Sequence, residues 1–338
     1  MRFGLFIMGT QRGNYQAVLD QICQAESLGF DTVMLAERHF QHADLLFPSP
    51  LAFGAAVAAR TSVIRIATAA RILPLAHPIH IAEDAATLDV LSNGRLEFGA
   101  TRASLDERTH DVFRSPLDES RARFEEALEI IHRAWTCESF SYDGKYYQIP
   151  QVSVSPKPLQ KPHPPVYVVA VSPQTVAFAG RSGHCVHLPA TRTLGELQET
   201  SKYYWEYRHQ AGYNGTPGAL SVNRFIYVAD NDRDARRHVE APFLQFIDRH
   251  APDLKAALQG RYGTGSLDYG RLVNDFCIFG SPETVTSRLR ELRQRLGVNY
   301  VLCSLNLITL DHNLCLRSMQ AMGREVMPAL RESASEVP

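Results

Sequence analysis

An α/β barrel of eight parallel strands, the (β/α)8 or TIM-type fold, is the architecture this sequence predicts, on three observations. Short apolar runs alternate with helix-period segments along the whole chain, as a parallel sheet requires. The runs are apolar on both faces, which suits strands covered by helices outside and by a packed interior within. About eight such runs are present, and no Gly-x-Gly-x-x-Gly follows the first, where an open dinucleotide-binding sheet would carry it. All 338 residues are expected to form one barrel domain, with the proline run 156–165 as the sole candidate boundary.

Phe3–Ile7 reads as the first strand, followed by a turn at Gly9–Gly13 and an amphipathic helix from Tyr15 to Leu28 capped by Gly29. Thr32–Leu35 is the second strand, and the polar block Ala36-Glu37-Arg38-His39-Phe40 follows it directly. After Phe47-Pro48-Ser49-Pro50 a helix runs through Ala59. Ile64, Ile66 and Ala67 open a third strand. Ile79, Ala82, Ala86, Leu88 and Leu91 then recur at near-helical spacing, and Asn93-Gly94 turns the chain into a strand holding Leu96, Phe98 and Gly99. Residues 120–136 form a long helix, and Tyr142-Asp143-Gly144-Lys145-Tyr146 a hairpin about its Asp-Gly turn.

Pro156–Pro165 is an extended connector into the strand Val166–Ala170, after which Ser172 caps a helix. A strand at Cys185–Leu188, a helix from Leu194 to Ala211, a strand at Ser221–Val228 and a helix at Asp230–Arg249 follow. Residues 250–277 carry Gly260, Gly263, Gly265 and Gly270 and read as an irregular insertion. Ser281 caps a helix opened by Pro282 and running to Leu296, Tyr300–Ser304 is the last strand, and a terminal helix reaches about Leu330.

With 35 Lys and Arg against 36 Asp and Glu the chain is nearly neutral, which argues against a bulk nucleic-acid or acidic-membrane binder. Six scattered cysteines without a Cys-x-x-Cys spacing read as reduced thiols, so a cytoplasmic location is expected. The apolar amino-terminal run is too short for a signal peptide, and no stretch approaches the roughly 18 apolar residues of a membrane span.

Both ends of the candidate chemistry sit at carboxyl ends of strands, where barrels bind ligands. In Val168-Val-Ala-Val-Ser172-Pro-Gln-Thr175 a buried strand hands over to a helix whose first turn offers free amides and two hydroxyls, an attractive seat for a phosphate. An ordinary capped helix is the plain alternative. Arg102, just past its own strand, supplies a guanidinium suited to the same anion. Glu37-Arg38-His39 follows strand two, where a histidine can carry protons near neutral pH; a surface loop with an ion pair is the competing reading. His77-Pro-Ile-His80 with Glu83 has helical metal-ligand spacing but no further ligands, and His184-Cys185-Val186-His187 sits inside a strand, so no metal site is expected. Gly94–Gly99 lacks the lysine of a P-loop, and no Gly-x-Ser-x-Gly elbow occurs.

Taken in order, Met1-Arg-Phe-Gly-Leu-Phe, Gly29-Phe-Asp-Thr-Val33, Glu37-Arg-His-Phe40, Thr68-Ala-Ala-Arg-Ile-Leu-Pro-Leu-Ala-His-Pro78, Gly94-Arg-Leu-Glu-Phe-Gly99, Pro165-Val-Tyr-Val-Val-Ala170 and Val326-Met-Pro-Ala-Leu330 resemble the bacterial luciferase-like flavin-dependent monooxygenases, and most of all the α-subunit pattern. The resemblance covers nearly the whole chain. It implies a barrel that binds reduced FMN (FMNH2) delivered by a separate NAD(P)H:flavin reductase, in a homodimer. It further implies that Ala69-Ala70 is a non-prolyl cis peptide beneath the flavin ring, and that Ala170, Val171, Ser172, Thr175 and Arg102 hold the cofactor.

Departures from the family pattern concentrate at the reaction centre. The usual histidine pair after Glu37 is Arg38-His39 here, Thr101 replaces a cysteine, Val171 an acidic residue and Ala103 a glycine. The implied reaction is transfer of one oxygen from a flavin C4a-(hydro)peroxide to a small or medium organic substrate, with changed substrate chemistry rather than light emission. In it His39 moves the proton, Arg38 stabilises the peroxide anion, Glu37 orients the pair, and residues 250–277 act as a lid. An F420-dependent oxidoreductase on the same barrel and a non-catalytic flavin-binding partner subunit are the alternatives.

Overall fold

The computed structural model describes residues 1–9, 13–40, 47–103, 107–213, 220–263, 268–305 and 309–332. Its strands are β1 (Arg2–Ile7), β2 (Thr32–Leu35), β3 (Arg65–Thr68), β4 (Arg71–Ile72), β5 (Leu96–Thr101), β6 (Phe140–Asp143), β7 (Gln148–Val152), β8 (Val166–Val169), β9 (Cys185–Leu188), β10 (Leu220–Val228), β11 (Cys277–Gly280) and β12 (Tyr300–Ser304). The helices are α1 (Tyr15–Ser27), α2 (Pro50–Arg60), α3 (Pro78–Leu91), α4 (Glu107–Val112), α5 (Ser120–Thr136), α6 (Pro173–Arg181), α7 (Leu194–Gln210), α8 (Asp232–His250), α9 (Pro252–Tyr262), α10 (Tyr269–Phe276), α11 (Pro282–Leu296), α12 (His312–Ala321) and α13 (Met327–Glu332).

Eight strands close a parallel ring in the order β1-β2-β3-β5-β8-β9-β10-β12, and β12 returns to β1 with Arg2 opposite Tyr300. β11 lies outside that ring, paired to the outer half of β10 from Phe225 to Val228. The predicted barrel is therefore the observed one. Packing follows from two-sided burial: β2, β11 and β12 have no exposed residue, and the helices press their apolar stripes onto the outer face. Trp135 of α5 illustrates the outer layer. It packs edge-on against Phe98 at 5.2 Å and donates its indole N–H to the Ala82 carbonyl at 3.0 Å.

Inside the barrel Met34, Ala67, Tyr167, Tyr300 and Leu302 meet across the axis. Below them, at the amino end of the strands, the buried Glu97 carboxylate accepts from Arg2 at 2.5 Å, Arg65 at 2.8 Å and the Tyr300 hydroxyl at 3.1 Å. A charge so deeply buried is tolerable only when paired, so the base of the barrel is a closed polar plug.

The proline connector is pinned rather than loose. Gln160 donates its backbone N–H and its side-chain amide to buried Asp89 of α3 at 3.0 and 2.7 Å. The segment 250–277 corrects the expectation of an irregular insertion. Apart from 264–267, which lie outside the described residues along with part of the predicted turn at Gly9–Gly13, it forms α9, α10 and the start of β11. Leu254, Leu258, Leu272 and Phe276 bury against Val239, Phe243 and Phe246 of α8 in a second apolar cluster. Helical spacing of those apolar residues outweighs Gly260 and Gly270, and Gly263, at φ +92°, merely ends α9.

Buried histidines make the fold acid-sensitive. Burial, reinforced by His163, pulls His132 down to about 4, and burial with His132, His163 and Arg208 nearby pulls His184 to about 3. The unfolded chain takes up these protons below about pH 6.5 while the native state refuses them, so stability falls as pH drops from there toward 4, by up to about 1.4 kcal/mol per pH unit for each histidine. Denaturant midpoints measured between pH 7.5 and 4.5 should decline accordingly. The slope should be shallower by one proton in His132→Phe; an unchanged slope would contradict the assignment.

Candidate active site

Register places the carboxyl ends of four adjoining strands side by side. Leu35 pairs with Thr68, Ile72 with Thr101, and Ala100 with Val168. Ala36–His39, Ala69-Ala70, Arg102 and Ala170–Ser172 consequently run along one rim in that order. The strand after Ala67 is interrupted: Ala67 and Arg71 span four residues where the facing Glu97 and Ala100 span three. The Ala69–Ala70 peptide in that interruption is cis.

Gly99 lets the two strands come together there. A Cβ at this position would lie 1.8 Å from the Thr68 carbonyl oxygen, so only glycine fits. The Thr68 hydroxyl closes the contact, donating to the Gly99 carbonyl at 2.7 Å and accepting its amide at 2.9 Å.

Glu37, with its side chain out of solvent, is the hub of the rim. Its Oε1 meets His39 Nε2 at 2.9 Å and a short ion pair from Arg71, and its Oε2 accepts the Ile72 amide at 3.0 Å. A guanidinium stays charged at any working pH, so the carboxylate facing it acts as an acceptor only. Nε2 of His39 therefore carries the hydrogen, and Nδ1 is the ring atom left for exchange with a ligand. Phe113 stands edge-on to the His39 ring at 5.0 Å and Phe40 flanks it at 5.9 Å, both rings about two-fifths exposed. Phe40 holds φ +52°, an uncommon conformation for a bulky residue outside a turn glycine. Arg38 ties its backbone to Phe47 in a two-way bridge.

The other end of the rim is the capped start of α6. Ser172 Oγ accepts the Thr175 amide at 3.3 Å and lies 3.0 Å from its hydroxyl, with Pro173 in the first turn. Arg102 extends past β5 and donates to the Ser120 hydroxyl of α5 at 2.9 Å. Beside them opens a cavity of about 610 Å³ lined by Ala170, Val171, Ser172, Arg192, Tyr203 and Tyr207, among others. That volume is in the range of a drug-sized or cofactor-sized ligand. Arg192 donates to the Val171 carbonyl at 2.5 Å and pairs with Glu196, which also meets Arg261 at 2.6 Å. Burial alone would raise the Glu196 carboxyl; the Thr193 amide and hydroxyl with both arginines bring it below the usual carboxylate range.

Arg71 and Arg192 are the site residues that sequence reasoning passed over. Each is a lone arginine in a loop or two-residue strand, and only the folded rim brings it to its partner. Thr101 ends β5 opposite Ile72, between the Glu37 hub and Arg102. Among the described residues no group of three or more His, Cys, Asp or Glu converges on a metal-sized site, and no helix is long and apolar enough to cross a membrane.

A parallel barrel with polar groups gathered at its carboxyl rim defines an enzyme of the TIM-barrel class. Residues 1–300 match the family model described as luciferase-like monooxygenase, and the chain belongs to that family and is an oxidoreductase of its kind. A Sinorhizobium fredii protein, y4vJ, is 30% identical over 98% of this chain and 98% of its own. The oxygenase component of a flavin-dependent trigonelline monooxygenase from Acinetobacter baylyi is 28% identical, over 70% of this chain and 67% of its own. Among solved structures, the monooxygenase RslO1 from Streptomyces bottropensis superposes with a TM-score of 0.87 at 27% identity, covering 98% of this chain and 100% of its own.

If Arg71 neutralises the Glu37 charge, Arg71→Met strands a buried carboxylate and should cost about 3 kcal/mol or more in urea unfolding. Adding Glu37→Gln should recover part of that loss. A single variant as stable as the parent would remove Arg71 from the hub.

Proposed function

We propose that this chain is the oxygenase component of a two-component flavin monooxygenase. It takes FMNH2 from a separate NAD(P)H:flavin reductase in the cytoplasm, works as a homodimer, and inserts one atom of O2 into a small or medium organic substrate. One observation carries the reading. A doubly hydroxylated helix start, with an arginine on the adjoining strand, flanks a cofactor-sized cavity on the same rim as a carboxylate-held histidine. The residues fit a flavin mononucleotide: α6 presents free amides and two hydroxyls to its phosphate, and Arg102 and Arg192 supply positive charge.

Bound there, reduced FMN supplies the two electrons with which O2 is split between an oxygenated product and water. The protein's part is positional and electrostatic. Ser172, Thr175 and Arg102 would hold the phosphate, and Ala69-Ala70 on the same rim would support the ring. Glu37 holds His39 in one tautomer so that Nδ1 gives or takes the proton. Arg38 and Thr101 stand on the same rim, where charge and a hydroxyl can act on oxygen. Phe40 and Phe113 keep water from the His39 ring and offer an apolar face to the substrate. On this reading the chain works as one barrel domain, since every named group lies on one rim.

Anaerobic titration of the purified protein with reduced FMN tests the proposal. Arg102→Ala, and separately Ser172→Ala with Thr175→Val, should weaken binding about 10- to 100-fold, the range for losing charge-assisted hydrogen bonds. In His39→Ala binding should persist while product formed per O2 consumed falls and hydrogen peroxide rises. Binding of reduced F420 but not reduced FMN would overturn the reading.

A further inference from the structure

The histidine at the end of His184-Cys-Val-His187 has no place in the chemistry so far. In the structure it faces inward from β9, its ring stacked on Tyr167 at 4.3 Å and 7°. It pairs with Val169, the last residue of β8, and its carbonyl accepts the Ala170 amide at 3.1 Å. His187 thus lies at the level where the barrel interior opens into the rim, next to the cavity-lining Ala170.

Its two ring nitrogens differ. Nδ1 makes a short hydrogen bond with the Ser221 hydroxyl, which also reaches the Val186 carbonyl at 3.3 Å. A hydroxyl has one proton, and a carbonyl can only accept it. Both contacts are satisfied together only when Ser221 donates to Val186 and accepts from Nδ1–H, the arrangement that leaves Nε2 as a bare lone pair. Nε2 is buried without a hydrogen-bond partner among the described residues. Burial, with Arg2 beneath, pulls the imidazole down to about 3, so it stays neutral. An orphaned acceptor in a fully buried site is costly, and a donor from a bound molecule would relieve it.

Resting on the flavin reading above, we propose that His187 is a cofactor-binding residue that selects the redox state. Its Nε2 accepts a hydrogen bond from a ring N–H of the reduced flavin. The reduced ring carries hydrogen at N5, where the oxidised ring has a bare nitrogen that would set lone pair against lone pair. The chain's own Ser221, by fixing the tautomer, makes the imidazole an acceptor and so favours the reduced coenzyme. This device differs from the phosphate seat, which grips both redox forms alike.

The test compares binding of oxidised and reduced FMN, the latter anaerobically, to the wild type, His187→Leu and Ser221→Ala. The reduced form should be preferred by the wild type, and the preference should shrink about tenfold in a folded His187→Leu. Ser221→Ala, which frees the tautomer, should narrow it as well without weakening oxidised FMN. In the wild type with 15N-labelled histidine, the Nε2 resonance should move upfield with reduced FMN and stay in place with oxidised FMN. That measurement decides the matter should His187→Leu fail to fold. A wild type that binds reduced FMN with an unmoved Nε2 resonance, or an unchanged preference in folded His187→Leu, would overturn the role of His187 alone. A wild type that binds neither form would overturn the flavin reading with it.

Discussion

A carboxylate with no exposed side-chain surface has to be paired where it stands, and Glu37 is paired three ways at once. Those partners come from different places: His39 from its own strand end, Arg71 and the Ile72 amide from the short β4 that follows the interrupted third strand. The rim between β2 and β5 is thereby tied together by one charge. Desolvation of an unpaired carboxylate costs more than a typical packing contact returns, so the position of β4 and the orientation of His39 are set by the same interaction. Stability and chemistry meet in one group.

The barrel repeats this logic at its other end with a different outcome. Glu97 is held by Arg2, Arg65 and Tyr300 under a layer of apolar and aromatic side chains. That cluster closes the base. Between base and mouth the interior changes from fully paired to open-ended: the mouth keeps atoms with unfilled hydrogen-bonding capacity, His39 Nδ1 and His187 Nε2 among them. Such capacity at the carboxyl end agrees with where barrel enzymes work.

Strand count and the parallel ring were legible because buried parallel strands announce themselves as apolar runs and their crossovers as helical periods. Val166–Ala170 and Thr32–Leu35 needed nothing more. The helix start at Ser172 was equally plain, since a cap, a proline and a hydroxyl one turn on leave a local signature. Residues 250–277 misled because glycine content outweighed the spacing of Leu254, Leu258, Leu272 and Phe276, whose burial against the preceding helix α8 is a tertiary contact that their own spacing does not display. β11, only four residues long, was hidden at the end of that stretch. Arg71 and Arg192 escaped for another reason: an ion pair across 34 residues, or a guanidinium folded back onto Val171, leaves no periodic trace. His187 was seen and set aside, because only the hydrogen bond to Ser221 distinguishes its two nitrogens.

The central claim is that one rim grips a reduced flavin by its phosphate at the start of α6 while the ring lies over the barrel mouth. An anaerobic crystal structure of the protein soaked in reduced FMN tests it most directly. The account predicts density for the phosphate within hydrogen-bonding distance of Ser172, Thr175 and Arg102, and the ring above Ala69-Ala70. A phosphate seated elsewhere on the surface, or a mouth without flavin at saturating coenzyme, would contradict it.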